Sequence, residues 1–355
     1  MSEMGIKRTE LADLGEFGVI KRLTSNITIS NMTSIKGVGD DAAVIERNKT
    51  EHTLLSTDML VEGVHFDLGY VPLKHLGYKA VVVNVSDICA MNGQAEQITV
   101  SLALSNRFSM EAIEELYEGM IMACDHYNVD LVGGDTTSSS SGLVISISVL
   151  GSVPVDRVTY RNTAKEKDLL VVTGDLGAAY MGLQILEREK SVFEEAPTVQ
   201  PDLAGHDYIL ARQLRPEARQ DVVQALTDLD LIPTSMIDIS DGLASELFHL
   251  TTQSNLGCML YEAKIPIDES TYNAARDFDL DPTLCALSGG EDYELLFTIS
   301  AEEYSKVENN PLFTTIGYMT DKEHGQQMTT KDGQVFPLEA QGWQHLKSSA
   351  ASSDE

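Results

Sequence analysis

The stretch LKHLGYKAVVVNVSDICAM, from Leu73 to Met91, admits two readings, and the fold turns on which one holds. Val81-Val82-Val83 has the β-branched character of a strand. Against that, Leu76, Ala80, Val83 and Asp87 recur at helical spacing, and a run of about 19 residues is long for a strand. The length and the flanking glycines favour a helix. The first half then alternates strands and helices. Thr53–Thr57 reads as a short strand and Ile98–Leu104 as another. Met110–Tyr127 is a helix whose apolar face carries Ile113, Leu116, Tyr117, Met120, Ile121 and Cys124. Leu131-Val132 leads into Gly133-Gly134-Asp135, and Leu143–Leu150 alternates apolar residues with serine, as a half-buried strand does.

Gly151-Ser152-Val153-Pro154 offers a domain boundary. Beyond it come a strand at Leu169–Thr173, a Gly174-Asp175 turn and a helix through Leu183 and Leu186. Ser191–Pro201 is polar and proline-containing and reads as a loop. A strand at Met236–Ile239 precedes a helix capped by Asp241, with Leu243, Leu247 and Leu250 inside. Tyr293–Ile299 is a further strand after Ser288-Gly289-Gly290-Glu291-Asp292. Strands mixed with helices in both halves indicate an α/β (α+β) protein. The expected division is 1–152, 153–346 and a disordered tail at 347–355.

A chain of 355 residues with 43% hydrophobic content can bury a core in two domains. Basic residues number 25 against 55 acidic ones, a net charge of −30. That argues against nucleic acid and anionic membranes as partners. No apolar run is long enough to span a bilayer, and the N-terminus does not read as a signal peptide, so a cytoplasmic protein is expected. Cys89, Cys124, Cys258 and Cys285 show no zinc spacing and read as buried thiols.

Five segments end in aspartate beside small or hydroxylated residues: Gly37-Val38-Gly39-Asp40-Asp41, Ser56-Thr57-Asp58, Asn84-Val85-Ser86-Asp87, Gly133-Gly134-Asp135 and Asp238-Ile239-Ser240-Asp241-Gly242. Aspartate is a poor choice inside strands and helices, so five such insertions need a common cause. Hard divalent cations supply one, because Mg2+ takes carboxylate oxygens and substrate phosphates together. The Asp40-Asp41 pair is repulsive unless a cation or proton neutralises it. Asp87 lies in an otherwise apolar segment, where it needs either a metal or an ion pair with Lys79. No P-loop lysine motif and no protein-kinase signature set occurs.

Taken in order, Gly15-Glu16-Phe17, GVGDDAAV, STDMLVEGVHF, YKAVVVNVSDICAMNG, VSLAL, LVGGDTT, MIDISDGLASEL, LSGGEDYELLFT and Gly342-Trp343 resemble the thiamine-monophosphate kinases. The resemblance runs from Gly15 to Leu346. It implies a two-domain fold like that of aminoimidazole ribonucleotide synthetase, with the N-terminal sheets of two chains paired in a homodimer. It also implies ATP-dependent phosphorylation of thiamine monophosphate to thiamine diphosphate by direct in-line transfer, with several Mg2+ ions and no catalytic side-chain base. Asp41, Ser56, Thr57, Asp58, Asp87, Asp135, Asp238 and Asp241 fall on the metal positions. Gly134, Asp135, Arg161 and Ser240 fall on ATP positions, and His65, Glu291 and Trp343 on thiamine phosphate positions. The chain departs from the family pattern at Ser138-Ser139-Ser140-Ser141-Gly142 and at Asn162-Thr163. The alternatives are another ATP-using enzyme of the superfamily, such as a selenophosphate or aminoimidazole ribonucleotide synthetase, and an inactive nucleotide-binding maturation partner. Cysteine is absent from the first 88 residues, which disfavours the selenophosphate enzymes, and the purine enzyme lacks this pairing of STD with GVHF.

Overall fold

The computed structural model describes residues 11–338. Trp343 and the tail at 347–355 therefore lie outside the described residues. The chain begins with α1 (Leu11–Thr24), which Gly15 interrupts with a φ of 64°. Next come β1 (Ser34–Lys36), β2 (Ala43–Glu46), β3 (Glu51–Val61), α2 (Leu73–Ala90), β4 (Gln94–Leu104), α3 (Met110–Tyr127), β5 (Asp130–Ser138) and β6 (Val144–Pro154). These six strands form one sheet in the order β1-β2-β3-β6-β4-β5. All neighbours are antiparallel except β4 and β5.

The remainder comprises β7 (Leu169–Thr173), α4 (Ala178–Glu195), α5 (Asp207–Leu214), α6 (Gln220–Asp228), β8 (Ser235–Asp238), α7 (Leu243–Ser254), β9 (Gly257–Tyr261), α8 (Glu269–Asp277), α9 (Pro282–Ser288), β10 (Leu295–Ile299), β11 (Phe313–Thr320), β12 (Gln326–Thr329) and β13 (Val335–Pro337). Its seven strands make a second sheet, β13-β12-β9-β11-β7-β10-β8. Two mixed sheets with helices on their faces match the expected α/β class. Among the described residues no helix is long and apolar enough to cross a membrane.

The Leu73–Met91 stretch is a helix, α2, and 14 of its 18 residues are buried. A helix buried all round has no polar face, which is why its periodicity is faint in the sequence. It packs on the inner face of the first sheet and also meets β8 of the second, so one core cluster runs from Val81, Val85 and Ile147 to Met236 and Phe297. The central strands β7 and β10 and the edge strand β8 are buried on both faces. Val171 and Phe297 point into that cluster, while Leu170, Val172 and Leu296 point into another on the far side.

Some elements run past their sequence-based limits. The helix α4 continues through Ser191 to Glu195, a segment expected to be loop: its polar residues are those of a solvent-facing helical surface. Gly151–Pro154 is the end of β6, paired with β3 as far as Glu51↔Pro154. The change of sheet falls between Pro154 and Leu169. Asp241 does not cap α7. Gly242 occupies the N-cap with a φ of 117°, and no side chain bonds there.

Two glycines fix the depth at which α2 sits against α3. A Cβ on Gly77 would lie 1.9 Å from the carbonyl oxygen of Leu116, and one on Gly119 would lie 1.8 Å from that of Lys74. Gly77→Ala gains about 1 kcal/mol of helix propensity. The backbone overlap outweighs this, because overpacking costs about 1–3 kcal/mol even where side chains can yield. Gly77→Ala should therefore lower the melting temperature, while Ala80→Gly, without a clash, should lose only its propensity. A Gly77→Ala protein as stable as the wild type would show that the helices can separate freely.

Candidate active site

Four elements deliver carboxylates to one place. Asp41 comes from the turn before β2, Asp58 from β3, Asp87 from the last turn of α2 and Asp238 from the end of β8. Carboxylate oxygens of Asp41, Asp87 and Asp238 all lie within 4.8 Å of one another. The helix α2 ties the group together. Its Asn84 Oδ1 accepts from the Asp58 N–H at 3.2 Å. The Ser86 hydroxyl reaches Asp238 Oδ2 at 2.5 Å. Asp87 Oδ2 is 2.5 Å from the Ser56 hydroxyl, which also approaches the Asp41 carbonyl at 2.9 Å. Asp87 does not pair with Lys79, whose ammonium goes to Glu291 and to the Gln213 carbonyl.

The electrostatics are adverse without a cation. Burial first, then Asp58, Asp238 and Asp41, push the Asp87 carboxyl well above its ordinary range. Burial and then Asp41 raise Asp238 to about 7. Burial raises Asp58 and Asp41 too. Asp87 also stands at the negative end of the α2 dipole, which disfavours a further negative charge. Arg161 answers part of the repulsion: its guanidinium pairs with Asp41, and its backbone N–H donates to Asp40 Oδ1 at 3.1 Å. Lys36 reaches Asp40 Oδ2 at 3.3 Å. Even so, burial and Asp41 hold Asp40 up at about 6. Asp41 Oδ2 is buried with no hydrogen-bond partner among the described residues. All-oxygen donors, converging acids and an orphaned oxygen are what a hard divalent cation requires, so these residues fit Mg2+.

The other expected site residues divide by strand geometry. Ser56 and Asp58 alternate with Thr57 along β3, so Thr57 stands on the opposite, outer face and contacts Ser148 Oγ at 3.1 Å. The segment lies in the middle of β3, not at a strand end. Asp135 pairs with Ser101, and through Ser146 with Met59, on that same outer face. Three strand spacings separate it from β3, roughly 14 Å. One chain does not bring Asp135 to the aspartate cluster. Gly134 shares the exposed edge strand β5, and a Cβ there would lie 1.9 Å from the Val100 carbonyl oxygen, which by itself demands glycine. Ser240 and Asp241 stand beside the cluster in the turn into α7, where the Asp241 N–H donates to the buried Glu246 at 2.9 Å.

A cavity of about 780 Å³ opens beside the carboxylates, lined by Asp58, Asp87, Asp238, Ser240 and Asp241 and also by His65 and Glu291. Residues from both halves of the chain therefore share one space. The His65 Nδ1 accepts from the Val61 N–H at 3.1 Å, so the neutral ring carries its proton on Nε2. Glu291 has a φ of 60°, in a loop where Gly290 and Tyr293 are also left-handed. Its carboxylate is fixed by Lys79, by Gln213 at 3.1 Å and by Tyr293 at 3.3 Å. Asp292 beside it is buried, accepting from the Gly177 N–H at 2.9 Å, and serves the loop rather than the cavity. Sequence reasoning named Asp40 without giving it a place in the site, and it assigned no role to Ser86, Asn84 or Glu246. The repetition of small polar residues before each aspartate was the signal for Ser86 and Asn84.

A carboxyl with a raised folded pKa keeps its proton longer when folded. Its contribution to stability is complete below the unfolded pKa and is lost as pH rises toward about 7 for Asp238. Asp238→Asn avoids that loss. In EDTA it should melt several degrees above the wild type at about pH 8, and the gap should close toward about pH 4. A gap that grows as pH falls would contradict this electrostatic picture.

Residues 39–153 match the family model "AIR synthase related protein, N-terminal domain". The thiamine-monophosphate kinase of Bacillus subtilis is 33% identical over 94% of this chain and 100% of its own length. That of Escherichia coli K12 is 34% identical, over 94% of this chain and 98% of its own. A solved structure described as "AaThiL complexed with AMPPCP and TMP" superposes with a TM-score of 0.79 at 31% identity, covering 95% of this chain and 99% of that one. With likeness of this order along nearly its whole length, the chain belongs to the thiamine-monophosphate kinase family.

Proposed function

We propose that the chain transfers the γ-phosphoryl group of ATP to thiamine monophosphate, giving thiamine diphosphate and ADP. The observation that carries the reading is the convergence of Asp58, Asp87, Asp238, His65 and Glu291 on one cavity, in a chain similar along its length to named kinases of this substrate. The acceptor is itself a phosphate, so its oxygen is already a nucleophile and no side-chain base is needed. Magnesium, when bound, supplies positive charge to the phosphates and aligns their oxygens. Asp41, Asp58, Asp87, Asp238 and Asp241 would hold it, Ser240 would sit beside the nucleotide phosphates, and Arg161, paired with Asp41, would meet ATP there. His65, through Nε2–H, and Glu291 would hold the thiamine phosphate, with Trp343 completing that site.

The reading includes a cytoplasmic homodimer, with the unit at 1–152 carrying nucleotide, metal and pairing surface and the unit at 153–346 carrying the substrate side. The outer face of the first sheet supports it. Leu55, Met59, Leu150 and Val132 are 38%, 54%, 40% and 60% exposed there. Leu54, Ile98, Val100 and Leu102, by contrast, point into the chain's own core. Paired outer faces would bring Thr57 and Asp135 against the second copy, with Gly134 next to them along β5, which would give these residues a role that a single chain leaves open.

Incubation with ATP, Mg2+ and thiamine monophosphate should yield thiamine diphosphate, and EDTA should abolish it. Asp87→Asn should lower kcat by orders of magnitude, since metal-held charge is worth several kcal/mol in the transition state. It should also keep or raise metal-free stability. A destabilised but active Asp87→Asn protein would overturn the assignment. Sedimentation should give a mass near twice that of the chain, and a fully active monomer would refute the paired sheets.

A further inference from the structure

One wall of the cavity carries side chains that the reaction described above leaves without a role. It is built by α4 and by Asp67, Tyr70 and Val71. Tyr180, Leu183 and Glu187 follow one another at i, i+3 and i+7, so a single face of α4 lines the space. Opposite them, the Tyr70 hydroxyl donates to Glu187 Oε1 at 2.5 Å. Tyr70 and Tyr180 pack against the same small apolar cluster of Ala178, Met181 and Ile209. Tyr180 is seated by Gly289, where a Cβ would lie 2.5 Å from its own.

The charge on this wall is one-sided. Among the described residues, seven carboxylates and one lysine line the cavity, and that lysine, Lys79, is taken by Glu291. The ammonium of Lys190, which is not part of the lining, is held by Asp67 at 2.6 Å. Burial, then Glu187, push the Tyr70 phenol up, so it stays a neutral donor with its ring intact as a π face. The Lys190 ammonium lies 6.0 Å from the centre of the Tyr70 ring, so that ring already attracts a cation, and two aromatic rings beside the Glu187 carboxylate suit a delocalised cation better than an anion.

We propose that Tyr70, Tyr180 and Glu187 form a recognition site for a flat, permanently cationic ring. On the functional reading above, on which this inference rests, the ring is the thiazolium of thiamine monophosphate. The wall then explains how an acidic cavity accepts an anionic phosphate ester: the ring is bound by the protein's own charge and the phosphate by the ions the aspartates hold. These three side chains select the cation and do not touch the transferred group. Their loss should raise KM for the acceptor and leave both kcat and the KM for ATP near wild type.

The test compares two probes by calorimetry, without ATP and with Mg2+ present. One is thiamine monophosphate. The other is its isostere with an uncharged thiophene in place of the thiazolium. The wild type should bind the cation about tenfold more tightly, as a desolvated cation–π contact gives. Glu187→Gln and Tyr180→Leu should each cut that preference severalfold, and Tyr180→Phe, which keeps the ring and the packing, should retain it. Equal binding of the two probes by the wild type, or undiminished preference in Glu187→Gln, would overturn the inference while leaving thiamine diphosphate synthesis intact. A wild type that binds neither probe and makes no thiamine diphosphate would instead remove the functional reading, and the inference with it.

Discussion

Mutual repulsion among buried carboxylates is the constraint on which the rest of this molecule depends. Asp41, Asp58, Asp87 and Asp238 lie in a poorly solvated space, where bringing like charges together is costly. The fold does not dilute that cost. It concentrates the acids at the meeting point of both sheets, with Arg161, among the described residues, as the one direct counter-charge to Asp41. Such an arrangement makes chemical sense when the missing positive charge arrives with the substrate. Phosphoryl transfer needs alignment and neutralised charge above all, and a cluster that is poised but undercharged provides sites for both.

The scaffold follows from that requirement. α2 is the piece that must be placed correctly, because Asn84, Ser86 and Asp87 on it reach β3 and β8 at once. Gly77 and Gly119 let it lie close to α3, and its apolar remainder anchors it on all sides. The cavity-lining Glu291 loop is pinned: it is held in left-handed geometry by its bond to the Ser240 carbonyl at 2.7 Å and by Lys79. Backbone strain of this kind costs energy and persists where surrounding structure over-determines it.

Much of this was legible in the sequence, for identifiable reasons. The helix α3 was read to its ends because it is amphipathic, with Ser109 capping one terminus and Asn128 turning left-handed at the other. The buried α2 was recoverable from its length, its flanking glycines and the helical spacing of Leu76, Ala80, Val83 and Asp87. The aspartate motifs were legible because each breaks a local rule. What was hidden is long-range or alternates with period two. Nothing local says that Arg161 meets Asp40 and Asp41, or that Lys79 prefers Glu291 to Asp87. The opposite outlook of Thr57 and Asp58 follows only once β3 is known to run through both. The continuation of α4 through Ser191 was masked by a polar surface that composition cannot tell from a loop.

The central claim is that the aspartate cluster is completed by divalent cations. Titration with Mn2+, followed by its free electron paramagnetic resonance signal, tests it without reference to turnover. The account predicts that the wild type takes up Mn2+ at the cluster, that Mg2+ competes for it, and that Asp87→Asn loses at least one ion per chain while remaining folded. Absence of binding in the wild type, or an unchanged stoichiometry and affinity in Asp87→Asn, would contradict it.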